Sequence, residues 1–208
     1  PLAWIPLKVS GVKPTPRSGH SLCPVGKMYI LFGGLDNEKK DGKIGPNNQV
    51  YVLRLLSNNN CEWRLQKCEG SIPLPRTNHA ACAISNDEML VFGGYFSTHQ
   101  RFNDTYILKT TNWEWSQPPN QKSGGEPKNT ESKIGAPEPR ANHTLTYNAG
   151  KVYVFGGHGG IGYQRTTFND LHVLDVKSYE WNKLAPTGDA PDPRGSHTAS
   201  LLPNDQIL

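Results

Sequence analysis

The chain has 208 residues, with 22 lysines and arginines against 18 aspartates and glutamates, for a formal net charge of +4. The basic residues are dispersed, Lys39-Lys40 being the only adjacent basic pair, so the concentrated patch that nucleic-acid binding requires is missing. No apolar run approaches the roughly 18 residues of a membrane helix, and no basic segment followed by an apolar one opens the chain, so membrane insertion is not expected and a cytoplasmic or nuclear location is.

In chain order, residues 4–7 around Trp4 read as the last strand of a preceding sheet, followed by a linker to residue 16. Pro16-Arg17 and His20 then begin a unit. Its apolar run ends in Phe32-Gly33-Gly34, a second β-prone run covers Val50, Tyr51, Val52 and Leu53, and the unit closes on Glu62-Trp63. The same landmarks return in order. Pro75-Arg76 and His79 lead to Phe92-Gly93-Gly94, Asn103-Asp104 and Glu114-Trp115; Pro139-Arg140 and His143 lead to Phe155-Gly156-Gly157, Asn169-Asp170 and Glu180-Trp181. Pro193-Arg194 with His197 opens a fourth unit. The arginines lie 59, 64 and 54 residues apart, the mark of one supersecondary unit repeated with variable loops.

Each unit divides into four short strands, a to d. In the third these are predicted over residues 143–147, 151–155, 171–176 and 180–184, with tight polar turns between a and b. Strand b is apolar on both faces and must be buried between neighbouring sheets. The glycine pair after it leaves room for close approach, and the tryptophan of strand d is the expected occupant. The units run 17–75, 76–139 with a long polar insertion at 117–138, and 140–193, while 194–208 begins a further one. Two blade faces would then stand open, inviting self-association.

This order of landmarks resembles the kelch repeat over nearly the whole chain. The resemblance implies an all-β, kelch-type β-propeller of four-stranded antiparallel blades, here about three full blades with partial blades at both ends. In style it is similar to the intracellular multi-domain kelch proteins, host cell factor, the kelch-type Rab effector and the kelch-domain phosphatases among them. It implies a non-catalytic protein-interaction scaffold. The alternatives are a propeller-based enzyme, a metal-dependent oxidase or a sugar epimerase, and a targeting domain of a larger signalling enzyme.

Function is expected where long loops sit on a rigid frame. The b–c loops (35–49, 95–102, 158–168) and d–a loops (66–74, 117–138, 185–192) share one face. Arg17, Arg76, Arg140 and Arg194 could ring its mouth and grip carboxylates of an acidic peptide, or each could tie a carbonyl or carboxylate inside its own blade. The unrepeated residues Tyr95, His99, Arg101, His158, Tyr163 and Arg165 are the sharper partner-binding candidates. No cofactor is expected. The repeated histidines, one per unit, do not converge as metal ligands must, and the spacing of Cys61 and Cys68 matches no zinc pattern. Cys23 and Cys82 follow their repeat histidines by three residues, where small side chains recur. All four cysteines are read as thiols.

Overall fold

The computed structural model describes residues 3–40, 43–119, 135–162 and 164–208. Three antiparallel blades follow one another. The first contains Ser21–Val25 (a), Met28–Phe32 (b), Val50–Leu55 (c) and Asn60–Gln66 (d). In the second the strands are Ala80–Ala83, Glu88–Phe92, Thr105–Lys109 and Glu114–Ser116. The third has Thr144–Asn148, Lys151–Phe155, Leu171–Asp175 and Trp181–Leu184, within a residue of the expected bounds. Local chemistry sets the a–b hairpins. In the third blade Ala149 and Gly150 take φ of 47° and 80°, the left-handed pair that matches the twist of a two-residue hairpin.

The central b strands are the dry layer. Met89, Leu90, Val91 and Phe92 have no exposed surface, and Ile30, Phe32, Val152 and Val154 match them. One apolar cluster joins blades one and two and a second joins blades two and three. At the first junction Phe32 meets Trp115 at 4.9 Å between ring centroids and His79 at 5.1 Å. The second repeats it, Phe92 meeting Trp181 at 5.0 Å and His143 at 5.4 Å. Each phenylalanine is therefore clamped by the tryptophan and histidine of the next unit.

This packing revises the expected role of the glycine pair. A Cβ on Gly93 would stand 2.7 Å from the Arg140 carbonyl and 2.8 Å from the His143 ring, with φ at +67°. Gly33 and Gly156 face Arg76 with His79 and Arg194 with His197 in the same way. The occupant of the glycine gap is thus the next unit's arginine carbonyl and histidine, and the tryptophan stacks on the preceding phenylalanine.

The first two blades also carry a fifth strand that the repeat pattern does not announce. Lys8–Gly11 pairs in parallel with strand d of blade one, and Glu69–Gly70 with strand d of blade two. These edge strands hold by main-chain hydrogen bonds with their side chains exposed, so no hydrophobic alternation marks them. The approach is close: a Cβ on Gly70 would lie 2.3 Å from the Trp115 carbonyl oxygen.

Candidate functional site

The b–c loops are ordered rather than plain connections. Each contains a small antiparallel ribbon: Leu35–Lys40 with Lys43–Pro46, Tyr95–Ser97 with Gln100–Arg101, and His158–Gly159 with Thr166–Thr167. The segment entering strand a pairs with its own ribbon, through Arg17↔Asp36, Thr77↔Tyr95 and Ala141↔His158. Backbone bonds then tie each ribbon to the next unit, Arg76 N donating to Asn47 O at 3.1 Å and Arg140 N to Phe102 O at 3.1 Å.

The repeated arginines lie beneath this layer. Arg76 is fully buried. It forks onto Asp104 at 2.6 and 3.0 Å, donates to the carbonyls of Gly93 and Leu74, and lies 4.3 Å from the Phe102 ring centroid. Arg140 repeats the set with Asp170 at 2.6 and 2.9 Å, the carbonyls of Gly156 and Glu138, and Phe168 at 4.2 Å. A bidentate charge-assisted pair with an aromatic floor is a strong staple between strand a and strand c. Partial burial pushes the Asp170 carboxyl up, but hydrogen bonds from Arg140 and His172 prevail and hold it well below the usual carboxylate range. Arg17 bonds to the neutral amides of Asn47 and Gln49, at 3.1 Å each, and keeps Asp36 only at 3.7 Å. Arg194 is exposed and donates to Asp192 O.

Asp104 and Asp170 carry a role the sequence reading did not assign. The signal was present: Phe-Asn-Asp stands at 102–104 and again at 168–170, 28 and 30 residues after the arginines.

The histidines fill inter-blade positions. His79 Nε2 meets Ser21 Oγ at 2.9 Å and His197 Nε2 meets Thr144 Oγ1 at 3.2 Å, each across a blade junction. Burial, and then the Arg76 charge, lowers the His79 pKa well below the usual value; burial and Arg140 push His143 down to about 3, against an opposing backbone hydrogen bond at Phe92. Both stay neutral at physiological pH. Among the described residues no three His, Cys, Asp or Glu side chains are placed to hold a metal ion. The four cysteines are free, and burial pushes the Cys23 and Cys68 thiols up to about 11. Among the described residues no helix is long and apolar enough to cross a membrane.

The unrepeated candidates gather where the ribbons of blades two and three meet. The Gly162 amide donates to Thr98 O at 3.0 Å, and Arg101 reaches across to the Gly160 carbonyl. Gly160 also abuts Arg165, whose Cα lies 3.3 Å from the position of a Gly160 Cβ. Gly160 thus lies between the Arg101 guanidinium from blade two and the Arg165 backbone of its own ribbon. Partial burial and then the Arg165 charge lower the Arg101 pKa. Arg101 Nε is buried with no hydrogen-bond partner among the described residues. The Arg101 guanidinium lies 5.9 Å from the Tyr95 ring centroid, and Asn78 Nδ2 donates to the Tyr95 hydroxyl at 3.5 Å. His99 Nδ1 lies 3.1 Å from Thr98 Oγ1; His158 Nδ1 lies 3.1 Å from Thr167 Oγ1 and its ring sits against Gly195. Tyr163 and residues 120–134 of the long insertion lie outside the described residues.

Radially repeated antiparallel blades, joined by Phe-Gly-Gly into Arg-x-x-His contacts, define the β-propeller class. The KLHDC2/KLHL20/DRC7 Kelch-repeats domain model matches residues 37–208, and the chain belongs to the kelch-repeat family. It is 32% identical over 204 residues to the dynein alpha chain of the flagellar outer arm of Chlamydomonas reinhardtii, covering 96% of this chain and 4% of that protein. The host cell factor of Drosophila melanogaster is 34% identical over 194 residues, covering 84% of this chain and 12% of that protein. The mouse Kelch domain-containing protein 1 is 28% identical over 230 residues, covering 99% of this chain and 51% of the relative. The chain thus spans from a small fraction to about half of these relatives' lengths. Kelch repeats of this kind form a protein-interaction domain.

Proposed function

We propose that the chain is a non-catalytic interaction scaffold whose b–c loop face, at the junction of blades two and three, receives an acidic peptide segment of a partner protein. The observation that carries this reading is the pair Arg101 and Arg165 around Gly160, which forms no salt bridge among the described residues. Two like charges held together in a ribbon-braced loop favour a ligand that brings carboxylates, and the unsatisfied Arg101 Nε supplies a further donor. Tyr95 offers an aromatic wall beside it, and His99 and His158 flank the same ribbons. Arg76 and Arg140 contribute as the buried supports of the loops, with their donors engaged inside the blade. The free thiols accord with a cytoplasmic or nuclear setting.

The test is fluorescence anisotropy with a labelled peptide of alternating Glu and Gly against its Lys counterpart. Binding of the acidic peptide should weaken roughly tenfold or more in Arg101→Glu and Arg165→Glu, as loss of a charge-assisted contact predicts. Binding by both variants at the wild-type affinity, or equal binding of the acidic and Lys peptides, would overturn the reading.

Self-association is a second reading with its own observation. Trp4, Ile5, Leu7, Val9, Leu22 and Leu65 are exposed on the first blade and its edge strand. Light scattering over a concentration series should then show species above 23.0 kDa, and a monomer at all concentrations would exclude it.

A further inference from the structure

The opposite face, built from the a–b and c–d turns, is clasped shut in two blades and open in one. In the second blade Thr110 donates to the Asp87 carbonyl from its amide at 2.8 Å and its hydroxyl at 3.1 Å. In the third, the Val176 amide donates to the Gly150 carbonyl at 3.0 Å. Each bond fastens the start of the c–d turn to the a–b turn. Leu55 occupies the matching place in blade one, and Lys27 the place of Asp87 and Gly150.

No such bond joins Leu55 to Lys27 among the described residues. Pairing between strands b and c also stops at Tyr29↔Leu53, one pair short of Glu88↔Lys109 and Lys151↔Asp175. The turns stand apart as a result. A groove of about 380 Å³ opens between them, lined by Lys27, Met28, Arg54, Leu55, Leu56 and Asn86.

Its lining is selective. Leu55 and Leu56 are 52% and 50% exposed, whereas the matching positions hold Thr110-Thr111 and Val176-Lys177. Nothing in the repeat requires leucine there. The turn that presents them is braced: Leu56 N donates to Asn60 O at 2.9 Å and Asn60 Nδ2 to Ser57 O at 2.9 Å, with Asn58 and Asn59 in left-handed conformations at φ of 56° and 58°. The charged lining residues are Lys27 and Arg54, both cationic, and neither forms a salt bridge among the described residues. Glu62, opposite Arg54 across the c–d pair, shares with Arg54, Val52 and Arg64 a smaller adjoining depression and does not line the groove.

The geometry points to this groove as a second docking site, for a partner segment that presents a large apolar side chain flanked by carboxylates. The apolar group would cover Leu55, Leu56 and Met28, while the carboxylates meet Arg54 and Lys27 at the rim. The site faces away from the b–c loops, so one module can bridge two partners at once.

The test is an amide-resolved NMR titration of the full chain with the peptide acetyl-Glu-Asp-Leu-Leu-Glu-Asp-amide, alongside versions with Ser for Leu and with Lys for the acids. Groove binding should appear as shifts of Gly26, Lys27, Leu55, Leu56 and Asn86, read separately from any at the b–c loops. Affinity read from the groove amides should fall roughly tenfold in Arg54→Glu and in Leu56→Ser and stay unchanged in Lys183→Glu, a charge reversal on the exposed outer strand of blade three. Equal response to the Ser or Lys peptide, shifts confined to the b–c loops, or silence of the groove amides at millimolar peptide would overturn the proposal. Groove shifts that depend on protein concentration without peptide would overturn it too, by marking a second copy as the occupant.

Discussion

The first and second blades descend from the same pattern and are held differently. In the second, Arg76 forks onto a carboxylate, Trp115 is 1% exposed against Phe32, and Thr110 clasps the turns. In the first, Arg17 finds amides where Asp104 would stand, Trp63 is only half-buried, and the turns gape. Blade two packs against a blade on each side, and among the described residues blade one packs against blade two. A shared pattern therefore produces a rigid element where each landmark meets its complement, and free surface where it does not.

The sharpest way to break this comparison is at the arginine staples. Asp104→Ala leaves a buried guanidinium uncompensated and should cost about 3 to 5 kcal/mol by urea denaturation. Gln49→Ala removes one neutral acceptor from Arg17 and should cost about 1 kcal/mol. Equal losses would mean the two staples are equivalent after all. The tryptophans come next. Trp115→Ala should cost about 3 to 5 kcal/mol through the cavity it leaves between blades, and Trp63→Ala less than about 1.5 kcal/mol, since it surrenders less buried area.

The histidines sharpen the comparison through pH. His79 and His143 have folded pKa values held below the ordinary 6.5, so the unfolded chain binds protons first as the pH falls. The native state thus keeps its full stability above about pH 6.5. Below that it loses up to about 1.4 kcal/mol per pH unit for each of the two, down towards the folded pKa. His143→Asn should remove one share of that slope. An unchanged pH profile would show that His143 is not held neutral by its junction. His20 is exposed, and partial burial and then the Arg17 charge lower its pKa in the same direction, so its replacement should remove a smaller, solvent-screened share of the slope. The smallest effect is expected at Arg101. Arg101→Glu should change stability by less than about 0.5 kcal/mol while weakening acidic-peptide capture roughly tenfold or more, which separates the surface from its support.

Much of this was legible from residues alone. The recurrence of Phe-Gly-Gly, Asn-Asp and Glu-Trp marks strand ends wherever a backbone must come close or a large ring must be buried, so the strand order, and the strand bounds of the third blade, followed within a residue. The pairing of Arg76 with Asp104 was hidden because they stand 28 positions apart in the chain, and only the b–c connection brings them together. The parallel edge strand at Lys8–Gly11 was hidden because main-chain pairing with exposed side chains writes no period into the sequence.

The sequence by itself determined the repeat, the blades and the face on which the variable loops emerge, since local propensity and periodic burial are encoded residue by residue. Only the tertiary structure decided which side chains are spent as internal staples and which remain free. That choice depends on what lies across each junction: Arg76 and Arg101 are the same residue type, and the Asp104 carboxylate beside one and its absence beside the other make the first a strut and the second a candidate contact.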